Sequence, residues 1–232
     1  LLASSAASDV YKRQGRKFLD TLAEKQVVID GKKLRGTSPK QHGSKGDYIM
    51  NAYVSENHIV VGQQRLKDKE NEIVAIPQLL EKLDIEGATI SIDAIGTQIN
   101  IAQNILDRKT HYFLAVKDNQ GALNEQVIDA FRYNKPTDSA SQMDADHGRI
   151  EIRDCRILKA DTIEDKDVLA RWPGLKTLVE VTSTVDYGDH TATAVRRYIS
   201  DEDYPKAAYF NMLARGHWSI ENQPVSYTHL TL

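Results

Sequence analysis

The chain has 232 residues, 41% of them hydrophobic and 27% charged, which suits one globular domain and excludes a protein dominated by membrane spans. A single cysteine, Cys155, excludes an internal disulfide and a thiolate metal cluster, so a reducing, cytoplasmic setting is the default expectation. The formal net charge of -3 gives no global sign of nucleic-acid binding, and any such binding has to rest on local basic patches.

In chain order, residues 1–14 and 224–232 read as leader and tail foreign to the fold, leaving residues 15–223 as the native reading. Val27–Asp30 is a short apolar run ending in a carboxylate and predicts a buried strand. The segment 31–46 carries Lys32, Lys33, Arg35, Lys40 and Lys45 without an acidic residue, and its Gly, Ser and Pro content predicts a basic loop. Two strand-like runs follow over 47–55 and 59–66, with Glu56, Asn57 and His58 as a hairpin turn. Ile73, Ile76, Leu79, Leu80 and Leu83 recur at helical spacing, predicting a helix capped by Asn71 and disturbed by Pro77. Ala88–Asp93 is a second buried strand ending in a carboxylate. A helix over 98–108, a strand over 112–116 and a helix over 124–131 complete the first part of an α/β core, residues 15–134.

Beyond residue 135 the pattern changes to alternation, with strands expected over 150–158, 175–185 and 191–200. Residues 135–203 thus read as a β-rich insertion, and residues 204–223 as a final core helix. The order predicts an α/β fold with a mixed sheet flanked by helices.

Two buried strands that each end in Asp suggest chemistry. Carboxylates at the carboxyl ends of neighbouring core strands sit at the mouth of an open α/β sheet, where ligands bind. Bare, the pair would repel and favour protonation of one member; a divalent cation relieves this, and oxygen-only ligation suits Mg²⁺ or Mn²⁺. Glu221, with His217 one helical turn before it, is a candidate third carboxylate on the last helix. Two such ions form the clamp used for in-line displacement at phosphorus.

The segments VVIDGKKLRG, NEIVAIPQLLEKLDIEGATISIDAIG, YFLAVKDNQGAL, HGRIEIR and RGHWSIEN, in that order, resemble the DDE insertion-sequence transposases that include the H-repeat-associated proteins of Rhs elements. The resemblance covers residues 15–223 and implies an RNase H-like core. It implies Asp30, Asp93 and Glu221 as catalytic metal ligands for two Mg²⁺ or Mn²⁺ ions. The implied activity is cleavage and strand transfer on double-stranded DNA at insertion-sequence ends, by at least a dimer because two ends are joined, in the bacterial cytoplasm at the nucleoid. An arginine in related transposases is replaced here by His217.

Lys32, Lys33, Arg35, Lys117, Arg149, Arg153 and His217 are the candidate DNA contacts. Each has a plainer reading. The lysines and Arg35 could be a solvated loop, and Arg149, Glu151 and Arg153, which share a strand face, could form a salt-bridge ladder. Asp30 could be a turn residue before Gly31, Asp93 a helix-entry carboxylate, and Glu72 a first-turn carboxylate or an outer-shell metal partner. Two alternatives to the transposase activity stand beside it: a remnant that binds DNA without cutting it, and a nuclease indifferent to terminal repeats.

Overall fold

A computed structural model describes residues 25–33, 48–56, 59–66, 72–146 and 149–222. Nine strands among them form one sheet in the order β3-β2-β1-β4-β5-β9-β8-β7-β6. They are β1 (Gln26–Lys33), β2 (Tyr48–Val54), β3 (Ile59–Leu66), β4 (Thr89–Ile92), β5 (His111–Val116), β6 (Asp138–Asp146), β7 (Arg149–Lys159), β8 (Thr177–Asp186) and β9 (Thr191–Ser200). Five α-helices are described: α1 (Glu72–Leu80), α2 (Ile99–Leu106), α3 (Gly121–Tyr133), α4 (Lys166–Arg171) and α5 (Ala207–Asn222).

Strands β1, β2 and β3 pair antiparallel, whereas β4 pairs parallel to β1 and β5 parallel to β4. This five-strand block, with its helices, is the RNase H-like arrangement expected. The parallel strands are the most continuously apolar, because helices cover both faces. Val27, Ile29, Ile90, Ile92 and Leu114 point to one face, where α1 to α4 bury Ile76, Leu79, Ile101, Ile105, Val127 and Val168. On the other face α5 packs Phe210, Leu213 and Ala214 against Phe113, Val179 and Tyr198.

Strands β6 to β9 continue the same sheet, because β9 pairs antiparallel with β5 along Phe113↔Ser200 to Val116↔Arg197. The junction is aromatic. Phe113 stacks on Tyr198 at 4.4 Å between centroids and lies 6.2 Å from Phe210. All three side chains are fully buried. Truncating Phe113→Ala is expected to lower unfolding free energy by about 3–5 kcal/mol, read as a lowered denaturant midpoint with an unchanged slope.

The structure corrects several expected boundaries. Strand β1 runs through Gly31 to Lys33, paired by Lys33↔Tyr48, so the basic segment begins as strand rather than loop. Asp30 therefore lies within its strand, three residues before its end. Helix α1 stops at Leu80 and contains Pro77, which lacks an N–H to donate within the helix. Helix α3 begins at Gly121 rather than at 124, and β8 at Thr177 rather than at 175. Strand β6 and helix α4 were not anticipated. Strand β6 (DSASQMDAD) is mostly polar and exposed, so it lacks an apolar face to read. Helix α4 is only six residues long, capped by Asp165, whose side chain accepts from the Asp167 and Val168 backbone N–H groups. The expected leader and tail, the remainder of the basic segment with Arg35, Asn57 and His58 of the hairpin turn, Asn71 and His147 lie outside the described residues.

Candidate active site

Parallel pairing of β1 with β4 sets the level of the two aspartates. Ile29 is the partner of Ile92, so Asp30 and Asp93 are the next residues along adjacent strands. Side-chain alternation gives them a common face. Gln26 of β1 donates from Nε2 to the Leu213 carbonyl of α5 at 2.8 Å, and Ser91 of β4 bonds His217 of α5. Asp30 and Asp93 follow the even and odd registers of those residues toward α5. Both are partly exposed, unlike the fully buried apolar residues that precede them.

The chain turns sharply after Asp93. The Asp93 carboxylate accepts from the Gly96 backbone N–H at 3.3 Å, and the Thr97 hydroxyl donates to the Ala115 carbonyl of β5 at 2.6 Å. The Asn119 side-chain amide donates to the Ala94 carbonyl. These bonds tie the turn to the end of β5 and fix where Asp93 leaves the sheet. Opposite Asp30, across β2, stands Asn51. It is buried, its Oδ1 accepts from Gln63 Nε2 at 2.9 Å, and its Nδ2 has no partner among the described residues.

Helix α5 crosses β1 and β4 at close range. Gly216 makes this possible: a Cβ there would lie 2.1 Å from Gln26 Oε1 and 3.1 Å from Ser55 Cβ. Glycine inside a helix costs about 1 kcal/mol relative to alanine, which the close seat offsets. One residue later, His217 Nδ1 lies 2.8 Å from Ser91 Oγ in a buried contact. Burial pushes the imidazole down to about 4, the nearby Asp93 charge opposes this, and the Lys117 charge adds to it. At neutral pH His217 is therefore an uncharged strut between α5 and β4. Trp218 donates from Nε1 to the Tyr198 hydroxyl at 3.3 Å and its ring lies under Arg196 of β9.

Glu72, in the first turn of α1, approaches the aspartates from the opposite face. Its carboxylate lies over Gly31, where a Cβ would come within 2.6 Å of Oε1 and 3.0 Å of Cδ. Burial raises the Glu72 carboxyl above its ordinary range, and the charge of Asp93 raises it further. The sequence marks Glu72 only as a helix-entry carboxylate or an outer-shell partner. The signal for more is the glycine directly after Asp30, which admits another group to the backbone.

The candidate DNA contacts separate by placement. Lys117 is exposed at the end of β5, close enough for its charge to act on His217. Arg153 and His217 are both buried. The Arg153 guanidinium pairs with Asp144 and, at 3.2 Å, with Glu151; Asp144 also holds Arg215 of α5. Arg153 thus joins β6, β7 and α5 rather than facing solvent, as the salt-bridge reading of this strand expects. The backbones of Lys32, Lys33 and Arg149 lie in strands and that of Glu221 in α5, but their side chains are outside the described residues. Among the described residues no group of three metal-ligating side chains converges. No helix among them is long and apolar enough to cross a membrane.

The mixed sheet thus sets Asp30 and Asp93 at the same level of β1 and β4. The comparison by sequence is sharper. The transposase DDE domain family matches residues 22–223, and the chain belongs to that family.

Among its relatives is YncI of Escherichia coli O157:H7, named as a transposase, 38% identical over 84% of this chain and 52% of that protein. YhhI of Escherichia coli strain K12, named as an H repeat-associated transposase, is 36% identical over 85% of this chain and 54% of that protein. The chain spans about half the length of these relatives. A cryo-EM structure of the piggyBac transposase synaptic complex with hairpin DNA is similar at a TM-score of 0.44 and 15% identity, over 88% of this chain and 42% of that one.

Proposed function

We propose that this chain is the catalytic core of an insertion-sequence transposase that cuts and joins double-stranded DNA, with Asp30, Asp93 and Glu221 as the ligands of divalent metal. The observation that carries this reading is the common level and face of Asp30 and Asp93 within a DDE-family chain.

The climb of α5 along the sheet supports Glu221 as the third ligand. Gln26 and Thr89 are register partners, and Leu213 bonds at that level; His217 bonds two strand residues higher, at Ser91. Four helical residues rise about 6 Å and two strand residues about 6.6 Å, so helix and strand keep pace. One further turn of α5 takes its backbone to Glu221 as two further residues take β4 to Asp93.

The residues present fit Mg²⁺ or Mn²⁺. Two partly exposed aspartates at one level of the sheet offer oxygen donors alone, which suits a hard divalent cation. Divalent ions, when bound, supply Lewis-acid stabilisation of charge at the attacking and leaving oxygens. The chain's own residues do the rest. Asp30 and Asp93 hold a fixed spacing set by the β1–β4 ladder, and the Gly96 N–H orients one oxygen of Asp93. His217, neutral, keeps α5 in register without adding positive charge beside the ligands. Lys117 offers an exposed cation at the rim for a DNA phosphate.

The test is cleavage of linear duplex DNA carrying the element's terminal repeats. Strand cuts at the repeat ends that require Mg²⁺ and disappear in EDTA are the expected result. Binding to DNA without any cut in Mg²⁺ or Mn²⁺ would instead support the remnant reading, and cuts indifferent to the repeats would support a general nuclease. Two DNA ends also require at least a dimer on DNA, read as two protomers per synapsed complex.

A further inference from the structure

We propose that Arg196, beside Lys117, holds a phosphate of the DNA strand next to the one that Asp30 and Asp93 serve. This deepens the transposase reading and rests on it. The geometry that carries it is the order of side chains along the α5 face of the sheet. Ile92 pairs with Leu114, so Ala115 stands at the level of Asp93. Ala115 in turn pairs with Tyr198, and Val116 with Arg197, so Lys117 and Arg196 come opposite each other one step further out. Side-chain alternation puts both on the face of Phe113 and Tyr198, which is the face that α5 covers. Strands about 4.8 Å apart and a rise of about 3.3 Å per residue set their backbones roughly 8 and 12 Å from that of Asp93.

Contacts with α5 hold each side chain on that face. The Lys117 charge reaches His217, and the Arg196 guanidinium lies on the ring of Trp218, whose Nε1 donates to the Tyr198 hydroxyl. Stacking on an aromatic face fixes the plane of a guanidinium and leaves recognition to the N–H groups at its edge, the geometry that binds phosphate. The next residue shows the contrast. Arg197 points to the other face, where its Nε donates at 2.9 Å to buried Glu180, which also pairs with Arg156. Helix α5 itself brings Arg215, which Asp144 holds, and His217, which is buried and uncharged at neutral pH. Strands β5 and β9 therefore set positive charge beside the aspartates. Two cations opposite one another on neighbouring strands disfavour each other, and an anion shared between them reverses this.

The experiment measures binding of linear duplex DNA carrying the terminal repeats, in EDTA and over a range of salt, with thermal melts of the protein alone. Arg196→Gln is expected to bind about tenfold more weakly and to lower the slope of log affinity against log salt by about 1, while melting near wild type. Arg196→Lys, which keeps the charge, is expected to keep the slope. Replacing the phosphates that flank the cut, one at a time, by uncharged methylphosphonate locates the contact. One such replacement is expected to weaken wild type and to have no further effect on Arg196→Gln.

Arg196→Gln with wild-type affinity and salt slope overturns the proposal. An Arg196→Gln variant that melts well below wild type, and whose binding Arg196→Lys does not restore, overturns it too, because the residue then only packs on Trp218. So does a further weakening of Arg196→Gln by every methylphosphonate as large as in wild type. Binding in EDTA does not draw on metal ions, so these outcomes are separate from that of the cleavage assay. A wild-type protein that does not bind duplex DNA, or whose binding does not fall with salt, overturns the transposase reading itself and the proposal with it.

Discussion

Asp93→Asn is expected to lower Mg²⁺-dependent cleavage at terminal repeats by about 10³-fold or more while leaving DNA binding and folding nearly intact. Asparagine matches aspartate in size and keeps an oxygen to accept the Gly96 N–H bond. It removes one negative charge from a site where Asp30 and Asp93 share a level. Metal ions at phosphoryl centres supply several kcal/mol of charge stabilisation, and each 1.36 kcal/mol is about tenfold in rate. Losing a ligand thus removes about three powers of ten or more.

Asp30→Asn should behave alike, and the double variant should be no worse than either single one, because both remove the same bound ion. The check is a single-turnover assay with labelled repeat ends, beside a gel-shift measurement of binding. Cleavage by Asp93→Asn within tenfold of wild type would show that the aspartates do not act through metal. A binding loss equal to the cleavage loss would place Asp93 in DNA recognition instead.

The first five strands were legible because each buried strand carries its own signal. VVID and TISID are apolar runs closed by a carboxylate, which reads both aspartates as strand-ending, although Asp30 lies three residues inside β1. The β1–β4 register then follows from parallel pairing, which composition alone does not state. Strand β1's extension past Asp30 was not legible, since Gly31, Lys32 and Lys33 have no strand propensity and are held by pairing with β2. Strand β6 was invisible for the same reason: its ladder with β7 supplies what its side chains do not. The fates of Arg153 and His217 depend on where α5 lands, a tertiary fact. A charged residue at a strand or helix position looks exposed until the partner across the sheet is known, and for Arg153 that partner is Asp144. Glu72 was legible as a candidate, but its seat on Gly31 joins two residues 41 positions apart and needs the fold.

Stability should fall with acid between about pH 6.5 and pH 4 through His217 alone. An ordinary histidine takes up its proton near 6.5 in the unfolded chain, whereas the buried imidazole of His217 resists until about 4. The unfolded state thus binds more protons than the native state in that window, and the stabilisation present above pH 6.5 is lost as pH drops toward 4. Below 4 both states are protonated and the difference levels off. A shift of this size corresponds to roughly 3 kcal/mol, at 1.36 kcal/mol per pKa unit.

The groups that face His217 are Asp93, which opposes the shift, and Lys117, which adds to it, while Ser91 supplies the bond. A metal ion beside Asp93 would cancel that carboxylate's pull and deepen the shift, so the measurement belongs in EDTA. Glutamine at this position is uncharged at every pH and can still reach Ser91. His217→Gln should therefore flatten denaturant-derived stability between pH 6.5 and 4. An unchanged pH slope in His217→Gln would mean that the strut between α5 and β4 is charged or solvated, and that α5 does not carry its last turn against β4 as described.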